Sequence, residues 1–463
     1  MAGTLEAGGV FLQPSAKKAT LPTNYITDFD FLNQYLPDTY EKEFEKYGNR
    51  SINSFLRQVS AELPSTSDLI KWEEQGRLHT KYTTVTTNAV AGDDTATWTV
   101  ADPGITACNF RVGQTVFLSA NAGTASDKAI ITAVSGLTFT VAYYAAGGQT
   151  IAAAATSTAF VYGSEFKKGS NGMNGSLEAE PSIREVSPII IKDKYEVSGS
   201  DMAQIGWVEV TTENGASGFL WYLKSEHETR LRYDDYLEMS MIEGVPAETG
   251  SGAIAAAGDI GNKGTEGLFE AINTKGNVWS GGNPTALTDW DTIIQRLDKQ
   301  GSIQENVLFV NRQFSFDIDD MLAAQNSYGV NGTSYGLFDN DENMALNLGF
   351  KGFKRGYEFY KTDWKYLNDA TLRGGIVGGA VNGVLVPAGT MTVYDQVLGQ
   401  NAKRPFLHVR YRASETENRR YKTWMTGSAG GAQTSDLDAM QVNFLSERAL
   451  CTMGANNFVI FNA

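Results

Sequence analysis

The sequence predicts an α+β fold of two or three domains, mostly strands, organised around one long helix. The 463 residues are 42% hydrophobic, enough for more than one core. They include 48 glycines against 11 prolines, a balance that favours many turns and a strand-rich architecture. One stretch, residues 218 to 243 (GFLWYLKSEHETRLRYDDYLEMSMIE), keeps a helical period over a length of about 39 Å, nearly twice the globular average.

The elements follow in chain order. Residues 1 to 24 show no sustained period and read as an extended arm. Phe31, Leu32, Tyr35, Leu36, Phe44, Tyr47, Ile52, Phe55 and Leu56 then recur at helical spacing, broken by Pro37 and Gly48, so 1–66 is an arm with two or three short helices. The chain turns towards β at 67–84 and again at 161–200, where Ile183, Glu185, Ile189 and Ile191 alternate; Pro181 and Pro188 place these strands at exposed edges. Between these two arms of a long β-loop, residues 85–160 change composition. They hold two basic residues, Arg111 and Lys128, and four acids, Asp93, Asp94, Asp102 and Asp127. The runs TATWTV, QTVFLSAN, KAIITAVSG, LTFTVAYY and STAFVY, separated by Gly, Asn and Asp turns, predict a small inserted β-domain.

On the long helix, Phe219, Leu220, Leu223, His227, Leu231, Leu237 and Met241 fall within one half of the wheel. Arg230, Asp234 and Glu238 share that half as a charged row, which suits a spine touching neighbours as well as its own core. Glu226 with Arg230, Glu228 with Arg232, and Arg230 with Asp234 are i,i+4 pairs, each worth about 0.2 to 0.5 kcal/mol. Thr211, Thr212 and Asn214 offer caps upstream, and Gly244 with Pro246 stops the helix. After a Gly/Ala linker, 253–399 alternate helix and strand: Thr288 caps a helix through Trp290, Ile293, Ile294 and Leu297, VLFV (307–310) is a strand, Phe314 to Ala324 a helix, and 346–360 and 384–394 strands. Two long β-runs near the end, FLHVRYRA into RRYKTWM and AMQVNF into ALCTMGANNFVIF, form the sheet under the spine helix; 201–252 and 400–463 thus make one domain.

The net charge of −15 argues against a surface that neutralises phosphates broadly. No apolar run reaches the roughly 18 residues of a membrane span, and no export signal opens the chain, so the expectation is a cytoplasm-like compartment without membrane contact. Cys108 and Cys451 read as buried free thiols. His79, His227 and His408 are too scattered for a two-histidine metal site or a Ser-His-Asp triad. Residues 258–265 (GDIGNKGT) lack the P-loop spacing, and Asp339, Asn340, Asp341, Glu342 and Asn343 lack that of an EF-hand. The reading is therefore of a non-enzyme, with no catalytic, cofactor or metal residue assigned. Basic residues cluster at Lys351, Lys354, Arg355 and at Arg404, Arg410, Arg412, Arg419, Arg420, Lys422, the second group interleaved with Tyr411, Tyr421 and Trp424. Nucleic acid is one partner for such a surface; ion pairing between subunits, against Asp38, Glu41, Glu43 and Glu45, is preferred, because nothing else in the chain reads bases.

Three stretches carry a resemblance: residues 162–204 (YGSEFKKGSNGMNGSLEAEPSIREVSPIIIKDKYEVSGSDMAQ), 267–277 (GLFEAINTKGN) and 305–322 (ENVLFVNRQFSFDIDDML). With the order of parts, they make essentially the whole chain resemble the major capsid proteins of tailed bacteriophages, Caudoviricetes, the Hong Kong 97 type fold. It looks most like those of short-tailed crAss-like phages. The resemblance implies a virion protein assembled in the bacterial host cytoplasm as homo-oligomeric hexamers and pentamers, with 253–399 as the axial domain and 201–252 with 400–463 as the peripheral one. It implies scaffold, portal and other capsid proteins as partners, and weak non-specific contact with packaged double-stranded DNA. Arg230, Asp234 and Glu238, with Phe166, Lys167 and Lys168 on the long loop, are then subunit-contact candidates. Some relatives join subunits by a Lys-Asn isopeptide bond; Lys167 and Lys168 lie on the corresponding loop, but no Asn and Glu partners can be placed. The chain departs from the type member in lacking a long helical charged leader and in carrying the insertion. The competing readings are a tail or adhesion protein whose insertion binds carbohydrate, and a hydrolase.

Overall fold

The computed structural model describes residues 55–56, 61–76, 80–123, 125–178, 181–204, 210–211, 217–218, 221–256, 262–326, 351–395, 400–431 and 433–462. The predicted arm and the helices before Phe55, the acidic stretch at 38–45, His79 and the acidic run 339–343 lie outside these residues. The chain is a strand-rich α/β protein. Its described residues divide into two compact units, 193–233 with 423–443, and 52–192 with 234–422 and 444–463.

In the larger unit, β1 (Ala61–Ser65) and β2 (Ile70–Glu74) precede a closed barrel. The barrel strands are β3 (Lys81–Thr87), β4 (Thr95–Val100), β5 (Gln114–Ala120), β6 (Ser126–Ser135), β7 (Thr138–Tyr143) and β8 (Ser157–Ser164), in the order β3-β4-β7-β6-β5-β8. Alternation drives closure: Ala96, Trp98 and Val100 of β4 are buried while the residues between them face out. Trp98 at the centre donates through its indole N–H to the Tyr143 hydroxyl at 3.0 Å, which donates to Gln149 at 3.0 Å, so the buried polar tips are satisfied within the core. The five expected strands are all present. The barrel also takes β3, because Tyr82 and Val85 are buried in the same core. The closed barrel thus runs from Lys81 to Ser164, taking in strand residues on both sides of 85–160.

β9 (Ser182–Val186) returns antiparallel to β2 as a two-stranded ribbon, and β10 (Ile189–Ser198) continues it. β11 (Val210–Thr211) and β12 (Ser217–Gly218) form a minimal ladder with Thr211 opposite Ser217; the other expected helix caps, Thr212 and Asn214, lie outside the described residues. The long helix is Trp221–Glu243, 23 residues. Its end carries Met241 and Ile242 into the core of the larger unit with Phe55, Leu268, Phe269 and Trp364.

β13 (Asn277–Trp279), β14 (Glu305–Val310), β15 (Gly352–Arg355), β16 (Tyr357–Asp363) and β17 (Val381–Pro387) build most of a six-stranded mixed sheet. Both faces are covered. Leu308 meets Trp290 and Phe314 of the helices Leu287–Gln300 and Arg312–Asn326, and Phe309 meets Phe55 and Trp364, which explains why VLFV is a continuous apolar run. Thr288 lies inside its helix; the first turn is closed by the Asp289 carboxylate, which accepts the Ala286 N–H at 3.3 Å. β18 (Thr390–Asp395) and β19 (Gln400–Pro405) form a hairpin.

β20 (Leu407–Arg412), β21 (Lys422–Gly427), β22 (Ala439–Thr452) and β10 form a sheet in which β1 pairs in parallel with β20. The final strand, β23 (Val459–Asn462), is not part of it. It enters the six-stranded sheet between β13 and β17, correcting the expectation that both terminal β-runs underlie the spine helix. The cause is local: Gly454 at φ 61° and the turn Ala455–Asn457 redirect the chain, and Phe458, Ile460 and Phe461 then find fully buried places.

Candidate interaction surfaces

The expected charged row on the spine helix does not act as one surface. Arg230 is exposed and pairs with Glu226 at 3.3 Å, one of the anticipated i,i+4 pairs. Arg232 reaches Asp193 of β10 at 3.5 Å, while Glu228 meets Lys224 at 3.9 Å. Asp234 is half-buried. Glu238 is buried, and its carboxylate accepts the Phe55 N–H at 2.9 Å. Leu223, assigned to the apolar face, is 49% exposed, whereas Tyr233, Leu237, Met241 and Ile242 are buried. The row descends from water into the core, so its two ends have different surroundings.

At the helix terminus Glu243 accepts from the Tyr366 hydroxyl at 2.6 Å and from Arg373 at 2.5 Å. Arg373 also donates to the Gly379 carbonyl at 2.7 Å and lies over the Phe269 ring at 4.9 Å. These bonds anchor a glycine-rich loop that presents Ile376 and Val377 to solvent, Val377 at 91% exposure.

The second basic cluster is held mainly by carboxylates of its own chain. Glu62 of β1 receives both Arg420 and Arg448; Arg448 also donates to Ser446 at 2.9 Å and to the Arg420 carbonyl at 3.0 Å. Glu447 takes Arg419 at 3.1 Å and Arg412 at 3.5 Å, Arg412 also contacts Asp68, and Lys422 meets Glu417 at 2.6 Å. Arg355 likewise pairs with Asp291, and Lys354 with Glu358 at 2.5 Å. Within the chain, Arg420 and Arg448 thus tie Glu62 of β1 to the sheet. Sequence could not find the pairing, since Glu62 and Arg448 are 386 residues apart.

His408 is buried on β20 opposite Cys451. Burial, and after it the Arg410 charge, brings its imidazole down to about 4; burial pushes the Cys451 thiol up to about 12. Both cysteines are buried and free, as expected. Among the described residues no group of three or more His, Cys, Asp and Glu is arranged to hold a metal, and no helix is long and apolar enough to cross a membrane.

The long-loop candidates lie at the surface. Lys167 and Lys168 are exposed, and the Lys167 carbonyl accepts from the Ser170 hydroxyl at 2.7 Å. Phe166 is 42% exposed, its ring set against Gly113. Leu69, Leu177, Ile183 and Ile190 of the ribbon and its flanks are also exposed, Ile183 at 60%.

No family model matches the chain, and no curated protein matches it. Solved structures do align with it over most of its length. A chain of Microbacterium phage Oxtober96 aligns over 94% of this chain and 99% of its own length, with 9% identity and a TM-score of 0.39. A chain of Gordonia phage Cozz covers 98% of each, with 10% identity and a TM-score of 0.41. A chain from the capsid of a native GTA particle aligns over 95% of this chain and 98% of its own, with 9% identity and a TM-score of 0.37.

Proposed function

We propose that this chain is the major capsid subunit of a tailed phage, forming hexamers and pentamers that close an icosahedral shell around double-stranded DNA. The observation that carries the reading is the β2–β9 ribbon with its flanks. Two strands are marginal alone, yet this ribbon leaves Ile183 60% exposed, with Leu69, Phe166, Leu177 and Ile190 also in water. A neighbouring copy laid along the ribbon removes that apolar surface and covers its strand edges. The order of arm, long loop, spine helix, axial domain and returning sheet supports the same reading. Phe166, Lys167 and Lys168, with Arg230 and Asp234, are the proposed contact residues; Glu238 supports its neighbours from inside. Scaffold and portal proteins are the further partners this role requires.

Negative-stain microscopy and light scattering of the full chain, expressed with its cognate scaffold, test the proposal. Closed shells or ring-shaped capsomers are expected. Monomers at every salt and protein concentration would sink it.

A further inference from the structure

A shallow groove on the outer face of the barrel is lined by Thr115, Lys128, Tyr144, Tyr162, Gly163 and Glu165. Its two tyrosines are about half exposed, Tyr144 at 49% and Tyr162 at 48%. Both have defined neighbours. The Tyr144 hydroxyl donates to the Glu165 carboxylate at 2.6 Å, and its N–H donates to the Lys128 carbonyl at 3.2 Å. The Lys128 ammonium lies 5.9 Å from the centre of the Tyr162 ring. Glu165 is fixed in turn, its N–H donating to the Gly113 carbonyl at 2.9 Å, while Phe166 packs where any side chain at Gly113 would come within 2.6 Å of the ring. On the floor, Gly163 stands opposite Thr115 in the β5–β8 register. The Thr115 hydroxyl is buried there with no hydrogen-bond partner.

We propose that this groove is a binding site for a neutral saccharide. The two exposed rings offer the flat apolar faces on which the C–H side of a hexose rests. Lys128 supplies donors and Glu165 an acceptor for vicinal hydroxyls. Because the groove holds one charge of each sign, a neutral polyol meets no uncompensated like charge, whereas an acidic or basic polymer does. The orphaned Thr115 hydroxyl is a partner for a sugar hydroxyl that reaches the floor; an unmet buried polar group is costly until something satisfies it. Size argues against a second protein copy as the occupant, since a stable protein interface uses about 20 to 30 residues a side. The inference rests on the barrel alone and stands or falls separately from shell assembly.

Saturation-transfer NMR and calorimetry on the purified full chain test it, with maltotriose, cellotriose and triacetylchitotriose as probes at millimolar concentration. At least one trisaccharide is expected to bind. Tyr162→Ala should weaken it about tenfold or more, Tyr162→Trp should retain it, and Thr115→Val should weaken it without lowering the melting temperature. No transfer to any of the three sugars, or equal binding by Tyr162→Ala, would overturn the proposal. Self-association lost in Tyr162→Ala, with no sugar bound, would also overturn it and give the groove to a second copy.

Discussion

Glu238 shows how far one residue can depart from the role its spacing implies. It lies four residues beyond Asp234 in a charged row, yet its carboxylate is buried and caps the Phe55 N–H. Glu238→Ala leaves that N–H unmet, and a loss of roughly 2 to 3 kcal/mol is expected by urea unfolding, with Glu238→Gln losing less because an acceptor remains. His408 makes a prediction in pH. Its imidazole titrates at about 4 in the fold against 6.5 ordinarily, so the unfolded chain binds the extra proton between those values. The stability this histidine contributes is fully present above pH 6.5 and is lost as pH falls towards 4, on the order of 3 kcal/mol in all. His408→Gln should flatten that part of the stability-pH curve; an unchanged slope would move the acid sensitivity elsewhere. The burial of His408 was not visible in the sequence, because FLHVRYRA alternates in a way that leaves either face open.

Among the elements, the barrel was the most legible. Its strands alternate cleanly and its turns carry Gly and Asn, so each could be placed in advance. Its closure could not, because β3 looks like part of the loop until Tyr82 and Val85 are seen inside. This sets the place for a deletion. Lys81 pairs with Phe160, so the barrel begins and ends on adjacent strands. Removing 81–164 and joining the flanks should leave the remainder folded, since loop length itself costs little. Removing only 88–156 strands β3 and β8 with their buried faces exposed, and should give aggregates; equal solubility of the two deletions would show that the barrel is not the unit. The other testable element is β1. Glu62→Ala takes a carboxylate from Arg420 and from the buried Arg448, and should speed hydrogen exchange of β1 amides well above that of β22. Uniform exchange across the sheet would mean that main-chain pairing alone holds the strand.

For the whole molecule the prediction concerns assembly. Arg230 is exposed, so Arg230→Glu should leave the circular dichroism of the subunit unchanged while impairing particle formation; normal shells would leave this position in solvent. By itself the sequence determined the strand-rich α/β character, the long helix, the barrel strands and the buried thiols, because each rests on local period, turn chemistry or hydrophobicity. Only the tertiary structure decided which sheet receives the last strand, which carboxylates hold the second basic cluster, and that Glu238 turns inward. Those outcomes depend on residues distant in the chain, and the period of a helix or strand says which side chains share a face, not what that face meets. Phe458 to Phe461 could have served either sheet; the turn at Gly454 and the places open beside β17 settled it.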